Sequence, residues 1–338
     1  MNKKQTTWFV VAAVIFVVTG VISVLVNTIS NSFTKKMESK NVSSLMQSLT
    51  GEDYDTQLSD IPGEDYIAVV PVKGTIQASS DSSGVNNSGS YDHDFLMSYV
   101  DKLMDDNKNK GIILRMDTPG GTVYEADELY LKLEEYKEKT NRPIWAYMES
   151  YCCSGGVYIA SSADEQYANR NTTTGSIGVI ITNYDMSELY KKLGIEEVDI
   201  VSAKNKAMGS SGKKMTAEQM EIYQSIVDEA YEQFVGVVAK GRNMSKKEVK
   251  ELADGRIYTA KQAVENGLID GIKGSEEFDE YVKEESGVDT IYEPEQSTQN
   301  YFSYLFGQLQ NTREKSEAEV LVDLMNQLGS GVPMYYGK

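Results

Sequence analysis

Histidine and cysteine are almost missing from this chain of 338 residues. There is one histidine, His93, and two cysteines, Cys152 and Cys153, which are adjacent. Zinc sites draw on several Cys and His side chains, so no metal centre of that kind is expected. Neighbouring cysteines rarely satisfy disulfide geometry with each other, so no disulfide framework is expected either. Only 6 prolines interrupt the chain, and 40% of its residues are hydrophobic, a composition that folds. Positive charge is in short supply: 33 Lys and Arg face 51 Asp and Glu, for a net charge of -18. Phosphate binding needs clustered cations, so nucleic acid is not an expected partner.

What the chain does have begins at its start. Trp8–Val26 is an uncharged run of 19 residues, WFVVAAVIFVVTGVISVLV. As a helix it spans roughly 28 Å, close to the hydrocarbon thickness of a bilayer. It continues into Asn27 and Thr28 with no Ala-x-Ala cleavage pattern, so a retained membrane anchor over 1–30 is expected. Lys3 and Lys4 on one side and Lys35, Lys36 and Lys40 on the other leave the orientation nearly tied. Residues 31–60 are polar and read as a stalk, 61–290 as the folded body, and 291–338 as a tail.

Within the body, apolar runs alternate with helical periodicity. Tyr66–Val72, Gly111–Asp117, Pro143–Met148, Glu165–Ala168 and Val198–Val201 read as strands. Helices are expected after His93, through Leu129, Leu131 and Leu133, from near Gly155, near Ser187–Leu193, and over residues 216–240. Residues 78–92 read as a Gly/Ser/Asn loop. The alternation predicts an α/β fold with crossover connections.

Four short segments are candidates for chemistry. Ser154 in CCSGGVYIA sits at a strand-to-helix turn followed by two glycines. Such a turn exposes a hydroxyl, and the following N–H groups, beginning with Gly155, can hold an oxyanion. The same residue also reads as an ordinary helix N-cap. A serine needs a base to become a nucleophile. His93 reads as an exposed loop histidine, which leaves lysine. An exposed lysine, with a pKa of ~10.4, is no base at neutral pH; burial makes it one. Lys206, in VSAKNKAMGS, is the candidate, with Lys204 its near competitor and solvated surface lysines the plainer reading of both. The turn Thr118–Gly121 follows a buried strand; the N–H of Gly121 either completes an oxyanion hole or only closes a tight turn. Ser176 in TGSIGV either orients the lysine amine or caps a turn.

In order along the chain, DTPGG at Asp117–Gly121, SGG at Ser154–Gly156, TGSIGV at Thr174–Val179, KNKAMGS around Lys206, and ADGRIYTAKQAVENGLIDGIKG at Ala253–Gly274 resemble the signal peptide peptidase A (SppA) family. The resemblance covers roughly residues 65–285. It implies a ClpP/crotonase-like fold of stacked ββα units. It implies a Ser–Lys dyad with Ser154 as nucleophile and Lys206 as general base, Ser176 orienting the lysine, and Gly121 and Gly155 as oxyanion donors. It implies no cofactor and no metal, peptide substrates such as cleaved signal peptides, and a homo-oligomer in which Ser and Lys come from neighbouring subunits. It also implies a single-pass protein of the cell membrane with its catalytic body on the extracytoplasmic side, which breaks the tie in lysine count. Cys152 and Cys153 stand where relatives carry small residues, as packing groups or as an oxidation-sensitive pair. Val157 stands where an aromatic is common. The small, apolar tail Gly329–Lys338 reads either as a loose end or as a product-like plug for a neighbour's groove. The readings set against this one are a crotonase-like acyl-CoA enzyme, a non-catalytic membrane scaffold, and a peptidase of membrane-active peptides.

Overall fold

The computed structural model describes residues 61–79 and 91–294, and the backbone of 334–336. The expected membrane anchor and stalk lie outside the described residues. Among those described, no helix is long and apolar enough to cross a membrane.

The first strand, β1 (Tyr66–Lys73), shows why a sheet forms here. Tyr66, Ala68, Val70 and Val72 enter one apolar cluster, while Ile67 and Val69 enter another on the opposite face. A strand buried on both faces is a near-continuous apolar run, and its neighbours are parallel. β2 (Asn109–Thr118) and β4 (Ile144–Cys153) follow in the same sense. The crossovers are α1 (His93–Asp105) and, after the short β3 (Gly120–Thr122), α2 (Val123–Thr140). Asp92 caps α1 by accepting the Phe95 N–H, and Leu96, Tyr99, Val100 and Leu103 turn inward from it. On α2, Leu129 and Leu133 are buried as their spacing predicts, while Leu131 faces out.

β4 then forks. Trp145–Met148 pair with β5 (Glu165–Ala168), and Tyr151–Cys153 pair with β6 (Thr173–Gly175). Between β4 and β5 runs the short helix α3 (Gly155–Ala160), wholly buried. Beyond α4 (Ser187–Leu193), the long α5 (Ala217–Gly241) and α6 (Lys246–Leu252), β7 (Ile257–Thr259) returns antiparallel to β6. After α7 (Ala260–Glu265), β8 (Gly271–Ile272) pairs with β5. Last come α8 (Ser275–Ser286) and β9 (Ile291–Tyr292), the latter beside β1. The main run of the sheet is β7-β6-β4-β2-β1-β9, with β5 and β8 branching from β4. Helices α1, α2, α3 and α5 cover one face; Phe278 and Val282 of α8 cover the other. This is the α/β architecture that the strand–helix alternation predicts.

Two local expectations are corrected. His93 is buried at the start of α1, its Nδ1 2.8 Å from the Tyr91 hydroxyl and its Nε2 3.1 Å from Glu128. It is a packed, paired side chain, not an exposed loop histidine. Val198–Val201 is no strand: the run pairs with no strand among the described residues, and Ile200 is 99% exposed. Separately, the short strand β6 ends at Gly175, because Ser176 has a φ of 52° and leaves the extended region.

Candidate active site

Ser154 stands where β4 ends and α3 begins, at φ 54° and ψ -115°. An L-residue pays a steric penalty there, and such strain persists only where the surroundings over-determine it. They do so here. The Ser154 N–H donates to Gly175 O at 2.8 Å, and Ser154 O accepts the Tyr158 N–H at 3.1 Å. Cys152 before it is in register with Thr174, and Gly155 and Gly156 after it are buried. The Ser154 side chain is 1% exposed, yet its Oγ has no hydrogen-bond partner among the described residues. Buried hydroxyls are nearly always satisfied, so an unpaired one at a strained turn marks Ser154 as a candidate for chemistry.

The TPGG turn lies alongside. Thr118 is in register with Cys152; its hydroxyl donates to Gly74 O at 2.6 Å and accepts the Gly120 N–H at 3.1 Å. Asp117 Oδ1 accepts the Tyr151 N–H at 3.1 Å, tying the turn to the strand that carries the serine. Ile76 donates to Gly120 O and accepts from the Thr122 N–H, both at 2.9 Å. A strand alternates its edges, so the N–H and C=O of Gly121 face the opposite edge. Gly121 is obligatory: a Cβ there would sit 1.8 Å from the Ile76 carbonyl oxygen. On the edge that Gly121 faces lies β10 (Met334–Tyr336), antiparallel, with Tyr335 opposite Gly121. Met334–Tyr336 thus pair with the turn of their own chain and lie beside α3. The roles of Asp117 and Thr118 had no signal in sequence beyond the turn itself, because they act through backbone groups.

Ser176 is also buried, with its N–H donating to Arg256 O at 2.7 Å. Through Gly175 it is one peptide away from the Ser154 contact. Ser154, Gly155, Gly121 and Ser176 are therefore gathered around the fork in β4.

Lys206 is not gathered with them. It lies in the turns of residues 195–216, is exposed, and its ammonium has no partner among the described residues. Lys204, its competitor, is tied to Glu218 of α5 at 2.8 Å. The surroundings of Lys206 are unusual: from residue 178 to residue 229 no residue is buried, although Leu193, Ile195, Val198, Ile200 and Met220 are all more than half exposed.

Cys152 is fully buried and Cys153 nearly so. Burial pushes the Cys152 thiol well up and the Cys153 thiol up to about 11. Cys153 Sγ lies 3.5 Å from Thr173 O. Thiolate is the reactive form, so the pair packs rather than senses oxidants. Val157 is a buried member of the same core, on α3. No cluster of metal-ligating side chains occurs among the described residues.

Residues 136–289 match the sequence pattern of peptidase family S49. A protein of Enterococcus faecium named for signal peptide peptidase SppA is 37% identical over 279 residues, which cover 80% of each chain. Protease 4 of Haemophilus influenzae is 35% identical over 65% of this chain and 35% of its own length. The chloroplastic serine protease SPPA of Arabidopsis thaliana is 29% identical over 63% of this chain and 31% of its own. With the strained, buried serine at the fork of its sheet, the chain belongs to the SppA family and is a serine peptidase of family S49.

Proposed function

We propose that the protein is a membrane-anchored endopeptidase in which Ser154 is the nucleophile and Lys206, from a neighbouring copy, is the general base. The unpaired, buried Ser154 Oγ carries this reading. Among the described residues Ser154 Oγ has no base beside it, and the Lys206 ammonium has no partner. Both are completed at once if the apolar surface of residues 178–229 seats against a second copy and desolvates the lysine.

The chemistry then runs as acyl transfer. Neutral Lys206 takes the Ser154 proton as Oγ attacks the peptide carbonyl. The N–H groups of Gly121 and Gly155 hold the resulting oxyanion. Lys206 returns the proton to the leaving amine, leaving an ester on Ser154. Water, deprotonated by the same lysine, hydrolyses that ester and restores the serine. Ser176 accepts a hydrogen bond from the lysine amine and orients it. No cofactor enters the scheme.

Substrates are extended, apolar peptides such as cleaved signal peptides. The antiparallel pairing of Met334–Tyr336 with Gly120–Thr122 supports an extended binding mode, since a peptide would add a strand to the same edge. The Trp8–Val26 run supports an anchor in the cell membrane, with the body on the extracytoplasmic side. Hydrolysis of an apolar reporter peptide by the full chain in detergent tests the reading. Ser154→Ala and Lys206→Ala should each lower the rate by about 10⁴-fold or more with assembly size unchanged. Wild-type rates in both would refute the dyad.

A further inference from the structure

We propose that Asp254 is a positioning residue for the peptidase site: its carboxylate holds the Asp254–Arg256 turn against the peptide group that joins Gly175 to Ser176. The inference rests on the reading of Ser176 as the residue that orients the lysine.

That peptide group is held at both ends. Its C=O, from Gly175, accepts the Ser154 N–H at 2.8 Å; its N–H, from Ser176, donates to Arg256 O at 2.7 Å. One peptide plane therefore links the nucleophile to the 254–256 turn. A second bond, Gly255 N–H to Ile177 O at 3.1 Å, fastens the turn to the next residue. The chain passes through two consecutive left-handed residues here, Gly175 at φ 89° and Ser176 at φ 52°. Ser176 bears a side chain in that region, so its backbone needs outside support to stay there. The fit is close enough that a Cβ on Gly175 would meet the Tyr258 ring at 2.6 Å and Arg256 O at 2.9 Å.

Asp254 shapes the supporting turn. Its Oδ1 accepts the Arg256 backbone N–H at 3.1 Å and the Arg256 Nε–H at 2.7 Å, and its Oδ2 pairs with the guanidinium. Arg256 holds the carboxyl down to about 2, so the clasp stays ionised at any pH where a lysine base works. The stem is fixed independently: the Tyr231 hydroxyl donates to Ala253 O at 3.0 Å, and the Tyr258 hydroxyl donates to Leu252 O at 2.8 Å. Both charged side chains are about half exposed or more, and exposed ion pairs add little to global stability. What Asp254 sets is the direction of the Arg256 carbonyl.

The test is a set of variants of the full chain assayed for peptide hydrolysis, melting temperature and assembly size. Asp254→Ala should lower kcat by about 10–100-fold, the scale of a small misplacement at a site, while KM, melting and assembly hold. Asp254→Asn, which keeps the Oδ1 acceptor, should recover most of that loss. Adding Asp254→Ala to Ser176→Ala should cost nothing beyond Ser176→Ala alone. If Ser176→Ala lowers kcat but Asp254→Ala does not, or if the two losses multiply, the positioning role is wrong and the reading of Ser176 survives. If Ser176→Ala itself keeps the wild-type rate, both fall together.

Discussion

Residues 144–160 and residues 178–229 are built in opposite ways. The first stretch carries Ser154 in a strand and helix almost entirely sealed into the sheet, with its backbone bonded on both sides. The second carries Lys206 on a segment that buries nothing, although it displays Leu193, Val198 and Ile200 to solvent. A strained nucleophile turn is maintained by the core beneath it. A segment with exposed apolar side chains and no core of its own has the character of an interaction surface, which is the role proposed for it. The contrast fits the proposal that the serine half of the site forms within one chain and the lysine half is brought to it by a neighbouring copy.

The comparison breaks first at Gly121. Gly121→Ala drives a Cβ into the Ile76 carbonyl, displaces the strand, and should lower kcat by about 10²–10³-fold, as loss of an oxyanion donor does. A rate near wild type would remove Gly121 from the site. The arm should respond differently. Ile200→Asp places a charge on a side chain that is almost fully exposed, so it should change folding stability by no more than about 0.5 kcal/mol. It should nevertheless lower assembly size in analytical ultracentrifugation and lower activity with it. Unchanged assembly would mean that the exposed apolar surface serves something else.

Deleting residues 329–338 should have a smaller effect, of the opposite sign. The strand Met334–Tyr336 occupies the edge that a peptide would use, so its removal should lower KM by a few fold through lost competition. An unchanged KM would show that the tail does not compete with substrate. The smallest effect is expected at Cys153. With its thiol pushed up to about 11, alkylation by iodoacetamide at neutral pH should be slow and should accelerate only as the pH approaches that value. Rapid inactivation at pH 7 would contradict the packing role.

Much of the secondary structure was legible in sequence. The strand at Tyr66 and the helices at Ser187–Leu193 and Ala217–Gly241 follow from apolar runs and periodicity. The turn at Ser154 follows from two glycines after a strand. The Val198–Val201 run misled because strand propensity reports a fit to a pleated, half-buried surface, and one chain supplies none there. His93 misled because its burial depends on Glu128, which lies 35 residues away. The tail's pairing with Gly120–Thr122 is a long-range contact that no local pattern announces. The support around Ser176 is likewise made of backbone bonds between distant segments.

The shared dyad is tested most directly by mixing two inactive proteins. Ser154→Ala keeps the lysine and Lys206→Ala keeps the serine. After subunit exchange in detergent, equal amounts should regain up to about a quarter of the wild-type rate, because one ordered neighbour pair in four carries both residues in a head-to-tail assembly. A mixture that stays silent, with exchange verified by co-purification of differently tagged chains, would contradict a site built from two copies.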